Sequence, residues 1–139
     1  LLFSTYEGVT VGRDSLKTGD YTVVGHDMPK DDHSIIIERK KNCLELVANL
    51  VAKWDTFELE LKRMMEYKHR AIVVCGPNNF PYIYNSGMTK IHPNFVYCKL
   101  TDIIMDMNIP VIFAGSREDA EAIIYRMFVK VVRDVEIEY

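Results

Sequence analysis

Three short, largely apolar runs alternating with helix-period segments do most to limit the fold open to this chain. Arg70–Gly76 (RAIVVCG) and Ile109–Ala114 (IPVIFA) are apolar at nearly every position, the pattern of strands covered on both faces. His33–Lys40 (HSIIIERK) reads as a further strand, its Ile35-Ile36-Ile37 triplet followed by three charges. Between and after these runs the period changes. From Cys43 to about Tyr67, the residues Leu46, Val47, Leu50, Val51, Trp54, Leu61, Met64 and Met65 recur at intervals of three and four, one buried face of a long helix. His92 to about Met107 keeps Val96, Leu100, Ile103, Ile104 and Met107 in phase, and a last helix keeps Ala120, Ile123, Ile124, Met127, Phe128, Val131 and Val132. Ser116 with Asp119 marks the start of that last helix, a capping box with Asp in place of Glu.

Nearer the start, Gly8–Arg13 and Gly19–His26 carry the β-branched and aromatic content of strands, separated by the polar stretch Asp14–Thr18. Asp27–Asp32 (DMPKDD) reads as a turn, so three early strands are close enough to pair as an antiparallel meander. The predicted order is β-β-β-α-β-α-β-α: one α/β domain with helices on both faces of a mixed sheet. The Asn-, Pro- and Tyr-rich stretch after Gly76 is expected to be a loop. No repeat, low-complexity segment or internal boundary interrupts residues 1–139. The chain opens on Leu1 rather than Met, and its natural start is expected upstream.

Composition narrows the function. Seventeen Lys+Arg against 20 Asp+Glu leave a net charge of −3, which excludes nucleic-acid binding by bulk positive charge but not by a local patch. The longest charge-free stretch, Ala71 to Thr89, is broken by Pro77, Pro81 and Gly87 and cannot span a membrane as a helix. Cys43, Cys75 and Cys98 are odd in number and widely spaced, which fits buried thiols in a reducing compartment. The expected location is the cytoplasm of a prokaryotic or phage-infected cell, or the nucleus in a eukaryote. No signal peptide is expected ahead of the fold.

The informative pair of segments is Gly19-Asp20-Tyr21 and Glu38-Arg39-Lys40. Pairing of their strands around the Asp27–Asp32 turn would bring Asp20 and Glu38 to the same end of the sheet. Two adjacent carboxylates repel unless a hard divalent cation such as Mg²⁺ or Mn²⁺ lies between them. Lys40, two residues beyond Glu38, projects to the same strand face. Its ammonium could orient an attacking water, and this set of groups suits phosphodiester hydrolysis. Arg39 points to the opposite face and is expected to tie the strand to neighbouring carboxylates. The other reading of the same residues is solvated decoration on a strand edge.

Gly-Asp-Tyr, a variable hairpin, an apolar triplet and Glu-Arg-Lys together resemble the nuclease motif of the XPF-type endonuclease domain, in the PD-(D/E)XK superfamily. Thr56–Met64 (TFELELKRM) is similar to that family's helix, and Ile109–Glu121 (IPVIFAGSREDAE) to the C-terminal strand and helix of its compact phage and prokaryotic versions. The resemblance implies a restriction-endonuclease-like single domain that lacks its N-terminal strand. It also implies hydrolysis of DNA near branch points, flaps or junctions in repair, recombination or replication. Carried over residue by residue, it makes Asp20, Glu38 and the backbone carbonyl of Arg39 the metal ligands, and Lys40 the catalytic lysine. Three departures stand beside it. No Asp-x-Arg-Glu precedes Gly8, where Glu7 is the only acid; Leu44 stands where the family has an Asp four positions after the Lys; and Thr56 stands where a basic residue is usual.

Lys40, Lys41, Lys53, Lys62, Arg63, Lys68, His69 and Arg70 are candidates for a phosphate-contacting patch. Of these, Lys41, Lys53, Lys62 and Arg63 are assigned to DNA binding, with Tyr82 and Tyr84. Phe80, Tyr82 and Tyr84, with Phe95, Tyr97, Lys90 and Lys99 further on, could stack unpaired bases or else pack a loop onto the domain. His26, Asp27, Asp31, Asp32 and His33 read as turn polarity rather than a metal cluster, and His69 and His92 as capping or solvated residues. No activated-nucleophile motif, G-x-G-x-x-G or P-loop is present. Two function classes follow: a structure-selective DNA endonuclease using Mg²⁺ or Mn²⁺, or a catalytically inactive module of the same fold that binds branched DNA or a protein. A third reading is an unrelated α/β protein. The Ile123/Met127/Val131 face is open to being core, a homodimer interface or both.

Overall fold

A computed structural model describes residues 18–138 together with Phe3, Tyr6, Gly12 and Leu16. The apolar runs form three strands: β1 (Ile35–Lys40), β2 (His69–Val74) and β3 (Val111–Phe113). They lie side by side in the order β1-β2-β3, and both pairings are parallel. Parallel neighbours need long crossovers. Helices α1 (Cys43–Leu50) and α2 (Trp54–Met64) join β1 to β2; α3 (Phe80–Asn85) and α4 (Pro93–Asp106) join β2 to β3; α5 (Arg117–Glu138) follows.

Strand alternation divides the core into two layers. Ile36, Ile72 and Val74 pack with Leu46, Leu50, Phe57, Leu61, Phe80, Val96 and Leu100 from α1 to α4. Their neighbours Ile35, Ile37, Ala71 and Val73 face the other way, against Ala120, Ile124 and Val131 of α5 and against Phe3. The α5 face carrying Ile123, Met127 and Val131 is thus turned toward the sheet, where it helps line a cavity of about 780 Å³ with Ile35, Ile37 and Ala71. Ser116 Oγ accepts from Asp119 N at 3.1 Å, so the capping expected at the start of α5 forms. No described helix is long and apolar enough to cross a membrane.

Three expectations change, and a fourth falls on residues outside those described. Gly8–Arg13 lies, but for Gly12, outside the described residues, as do Glu7 and most of Asp14–Thr18. Gly19–His26 is not a strand: among the described residues the antiparallel part of the sheet is one bridge, Tyr21↔Ile37. A turn closed by His26 N on Val23 O (2.8 Å) makes His26, not Val23, the acceptor for Ile35 N. The long helix expected from Cys43 to Tyr67 breaks at Val51–Lys53 into α1 and α2. Leu50 and Phe57, both buried, are two helical turns apart, so the apolar phase runs through the break and conceals it. The Asn-Pro-Tyr stretch contains the short helix α3 with Pro81 in its first turn.

Of the cysteines, only Cys43 is buried; Cys75 is half-buried, Cys98 is exposed, and all three are free. Arg70 is structural rather than a phosphate contact. Its guanidinium donates to Met65 O (3.2 Å), Tyr67 O (2.9 Å) and Met107 O (3.2 Å), pinning the chain just beyond the C-terminal ends of α2 and α4, where helix dipoles favour a cation.

Candidate active site

On β1, Glu38 and Lys40 continue the alternation of Ile36 and so point into the layer of α1 and α2. Both are buried, with 7% and 5% of their surface exposed, although Lys and Glu almost never are unless paired. Lys40 Nζ donates to Glu38 Oε2 at 3.1 Å. The same ammonium stands 4.5 Å from the ring centroid of Phe57 on α2. An aromatic face attracts a cation most strongly when water is excluded.

Gly19 brings the second carboxylate to β1. It adopts φ +73°, and a Cβ there would run into Cγ1 and Cδ1 of Ile36, so only glycine lets the chain pass this close to the strand. Thr18 Oγ1 donates to Glu60 O on α2 at 3.0 Å. On the far side of Gly19, Asp20 N and Tyr21 N both donate to Ile37 O, at 2.8 and 3.1 Å. Asp20 Oδ2 then accepts from Arg39 N at 2.7 Å. In a strand a residue's N–H and C=O point to the same side. The Arg39 carbonyl therefore lies along the edge that Asp20 occupies.

The Asp20 carboxyl is within hydrogen-bonding reach of Glu38. Burial first, then the Asp20 carboxyl, pushes the Glu38 carboxyl up from the ordinary 4.5 to about 8, while Lys40 pulls against both. Without a cation, Glu38 keeps its proton near neutral pH. Two carboxyls and a backbone carbonyl on one edge are hard oxygen donors, and they fit Mg²⁺ or Mn²⁺. Among the described residues no cluster of three or more His, Cys, Asp or Glu forms a metal site, consistent with Leu44 in place of an acid.

Arg39 does turn to the opposite face, but its side-chain partner is a thiol and not the expected carboxylate: Nε donates to Cys75 Sγ at 3.3 Å. That bond is the first cause of the rise in the guanidinium's already high pKa. The basic candidates do not form one patch. Lys41 and Lys53 are exposed, one just beyond the end of β1 and the other just before α2, a helical turn ahead of Phe57. Lys62 and Arg63 are exposed in the last turn of α2, with Lys62 paired to Glu58 at 3.5 Å. Lys68 and His69 sit where β2 begins, and His69 lies beside Ile35 rather than Lys40. Tyr82 and Tyr84 are exposed on α3, whereas Phe80 of the same group is core. His92 caps α4, its Nδ1 accepting from Asn94 N at 3.1 Å, and the His26–His33 segment is a turn with Asp27, Asp31 and Asp32 exposed. Sequence reasoning missed the parts played by Phe57 and Cys75: a buried ring near a charge carries the same signal as any core residue, and a half-buried thiol gives no sign of its partner.

The model of the ERCC4 domain family matches residues 2–127. Among solved structures, the chain is similar to XPF from Aeropyrum pernix, with 20% identity and a TM-score of 0.59 over 88% of this chain and 54% of that one. It is also similar to XPF from Aeropyrum pernix in complex with DNA, with 21% identity and a TM-score of 0.61 over 86% of this chain and 52% of that one. The chain thus spans about half the length of these structures, and at such identities the likeness is one of fold. No curated protein matches it.

Proposed function

The chain belongs to the ERCC4 domain family of XPF-type nucleases, and from that premise we propose that it is a metal-dependent endonuclease acting on branched or partly single-stranded DNA. The observation that carries the reading is the buried Glu38–Lys40 pair in reach of Asp20 at one edge of the sheet. A buried pair of ionisable groups whose carboxyl is pushed far above its ordinary range is costly for a fold and characteristic of active sites. Asp20, Glu38 and the Arg39 carbonyl would hold Mg²⁺ or Mn²⁺. When bound, such an ion acidifies water and offsets charge building on the phosphate.

The chain's own groups do the rest. Lys40, fixed between Glu38 and the Phe57 ring, presents its remaining N–H bonds to the water and the scissile phosphate. Asp20, exposed at the edge, faces the side from which a sugar-phosphate chain would approach. Arg39 keeps β1 in place through Cys75, and Lys41 and Lys53 supply cations near the site for flanking phosphates. Lys62 and Arg63, further along α2, would meet only a longer stretch of DNA. A second reading, an inactive module that binds branched DNA, draws support from the acids near Lys40 among the described residues, which are Glu38 and Asp20. Incubation with flap, splayed-arm and four-way-junction DNA in Mg²⁺ or Mn²⁺ separates the two. Cutting that disappears in Asp20→Ala and Lys40→Ala while DNA binding persists supports the nuclease; binding without cutting by the parent supports the module.

A further inference from the structure

The face of the sheet turned away from Glu38 and Lys40 carries a cavity that the nuclease reading leaves unused. Strand alternation puts Ile35 and Ile37 of β1 on the side opposite to Ile36, Glu38 and Lys40. With Ala71 and Ile112 they form the floor of the cavity of about 780 Å³, and Ile123 and Met127 of α5 form its facing wall. Small-molecule sites have this size and this mostly apolar lining, with a few placed polar groups that fix the ligand's orientation.

The polar groups here carry one sign. Lys68, Arg70, Arg126 and Lys130 line the cavity, and among the described residues no Asp or Glu does, although the chain as a whole has a net charge of −3. Lys68 and Arg126 are exposed and so stand at the mouth. Arg70 uses its terminal N–H groups on the Met65, Tyr67 and Met107 carbonyls, yet its Nε–H is buried without a hydrogen-bond partner. Buried N–H groups are rarely left so, and the acceptor it lacks is what an anionic head would bring.

The walls decide the rest of the occupant. An α-helix with its side chains is about 10–12 Å across. It could enter between α5 and the sheet only by lifting α5, whose Ala120 and Ile124 are fully buried in the same layer. An alkyl chain needs no such displacement, and the flexible Met127 can adjust around it.

We propose that this cavity binds a single-chain amphiphilic anion of the long-chain carboxylate class. The chain lies between the Ile35–Ile37 floor and α5, and the carboxylate sits among Lys68, Arg70 and Arg126, where charge-assisted hydrogen bonds are strongest. The site is on the other face of the sheet from Glu38 and Lys40, so it stands or falls independently of the nuclease reading.

The test is calorimetric titration of the full chain with laurate below its micellar concentration, beside octanoate, dodecyltrimethylammonium and vesicles of phosphatidylglycerol. Laurate should bind one to one, with affinity rising roughly three- to fourfold per methylene from octanoate, and the cationic amphiphile should not bind. Lys68→Glu/Arg126→Glu changes two exposed side chains and should lower laurate affinity roughly tenfold or more. Ile123→Trp should fill the cavity and abolish binding. Melting curves would verify that each variant folds, and the charge-reversed variant decides the matter if the tryptophan variant does not. Absence of laurate binding, equal affinity for the cationic amphiphile, several laurates per chain, or full affinity in either folded variant would overturn the proposal. Binding to the vesicles without binding to free laurate would also overturn it and leave the cations to a lipid surface.

Discussion

Lys40 shows why this site is costly to keep. Burying an ammonium and a carboxylate loses hydration that their mutual attraction only partly restores. The Phe57 ring and the 3.1 Å bond to Glu38 hold the amine, yet an apolar chain of similar length would fill the same space. In Lys40→Met, Glu38 keeps its proton to higher pH, since Lys40 no longer pulls its carboxyl down, and the thioether can lie over Phe57. The variant should therefore melt no lower than the parent and still bind Mn²⁺ through Asp20 and Glu38, while turnover falls by at least about a hundredfold. Calorimetry, a Mn²⁺ titration and a cutting assay on one preparation would check this. A variant that loses stability along with activity would give Lys40 a structural role instead.

Among the elements, the segment before β1 matters most. Asp20 has no strand or helix of its own; it is placed by Gly19, by Thr18 on Glu60 O and by Tyr21 on Ile37. Gly19→Ala would face both the cost of a left-handed φ, about 1 kcal/mol or more, and a collision with Ile36. The expected result is a fall in denaturant stability of more than about 1 kcal/mol, with Mn²⁺ binding weakened because Asp20 shifts. A variant that binds Mn²⁺ like the parent would show that the turn does not set Asp20.

The same segment shows what the residues reveal and what they do not. β2, β3, α4 and α5 are legible because each has one unbroken period, and the Gly-Asp and Glu-Arg-Lys pieces are legible as spelling. The break at Val51–Lys53 leaves no trace, since Leu50 and Phe57 stay in phase through it. Gly19–His26 has the β-branched content of a strand, yet tertiary bonds to β1 and the turn at Val23–His26 give it another path. The role of Phe57 is not legible at all: a ring beneath Lys40 and a ring in the core look identical in sequence.

For the molecule as a whole, the raised Glu38 carboxyl links folding, pH and metal. Glu38 titrates near 4.5 when unfolded and at about 8 when folded, so between those values the folded chain holds a proton that the unfolded chain has released. By linkage, stability without metal is then fully present below about pH 4.5 and declines as pH rises toward about 8. Melting temperatures in chelator should fall across that window, and Glu38→Gln, which carries no such proton, should flatten the slope. A divalent ion bound by Asp20 and Glu38 must displace the same proton, so affinity should rise roughly tenfold per pH unit below about 8 and level off above it. Saturating Mn²⁺ should accordingly raise the melting temperature more at alkaline than at acidic pH, by mass action on the folded state alone. A melting temperature in chelator that is flat with pH in the parent, or Mn²⁺ affinity that does not depend on pH, would mean that Glu38 holds no extra proton in the fold, and the two acids would then be neighbours without a common site.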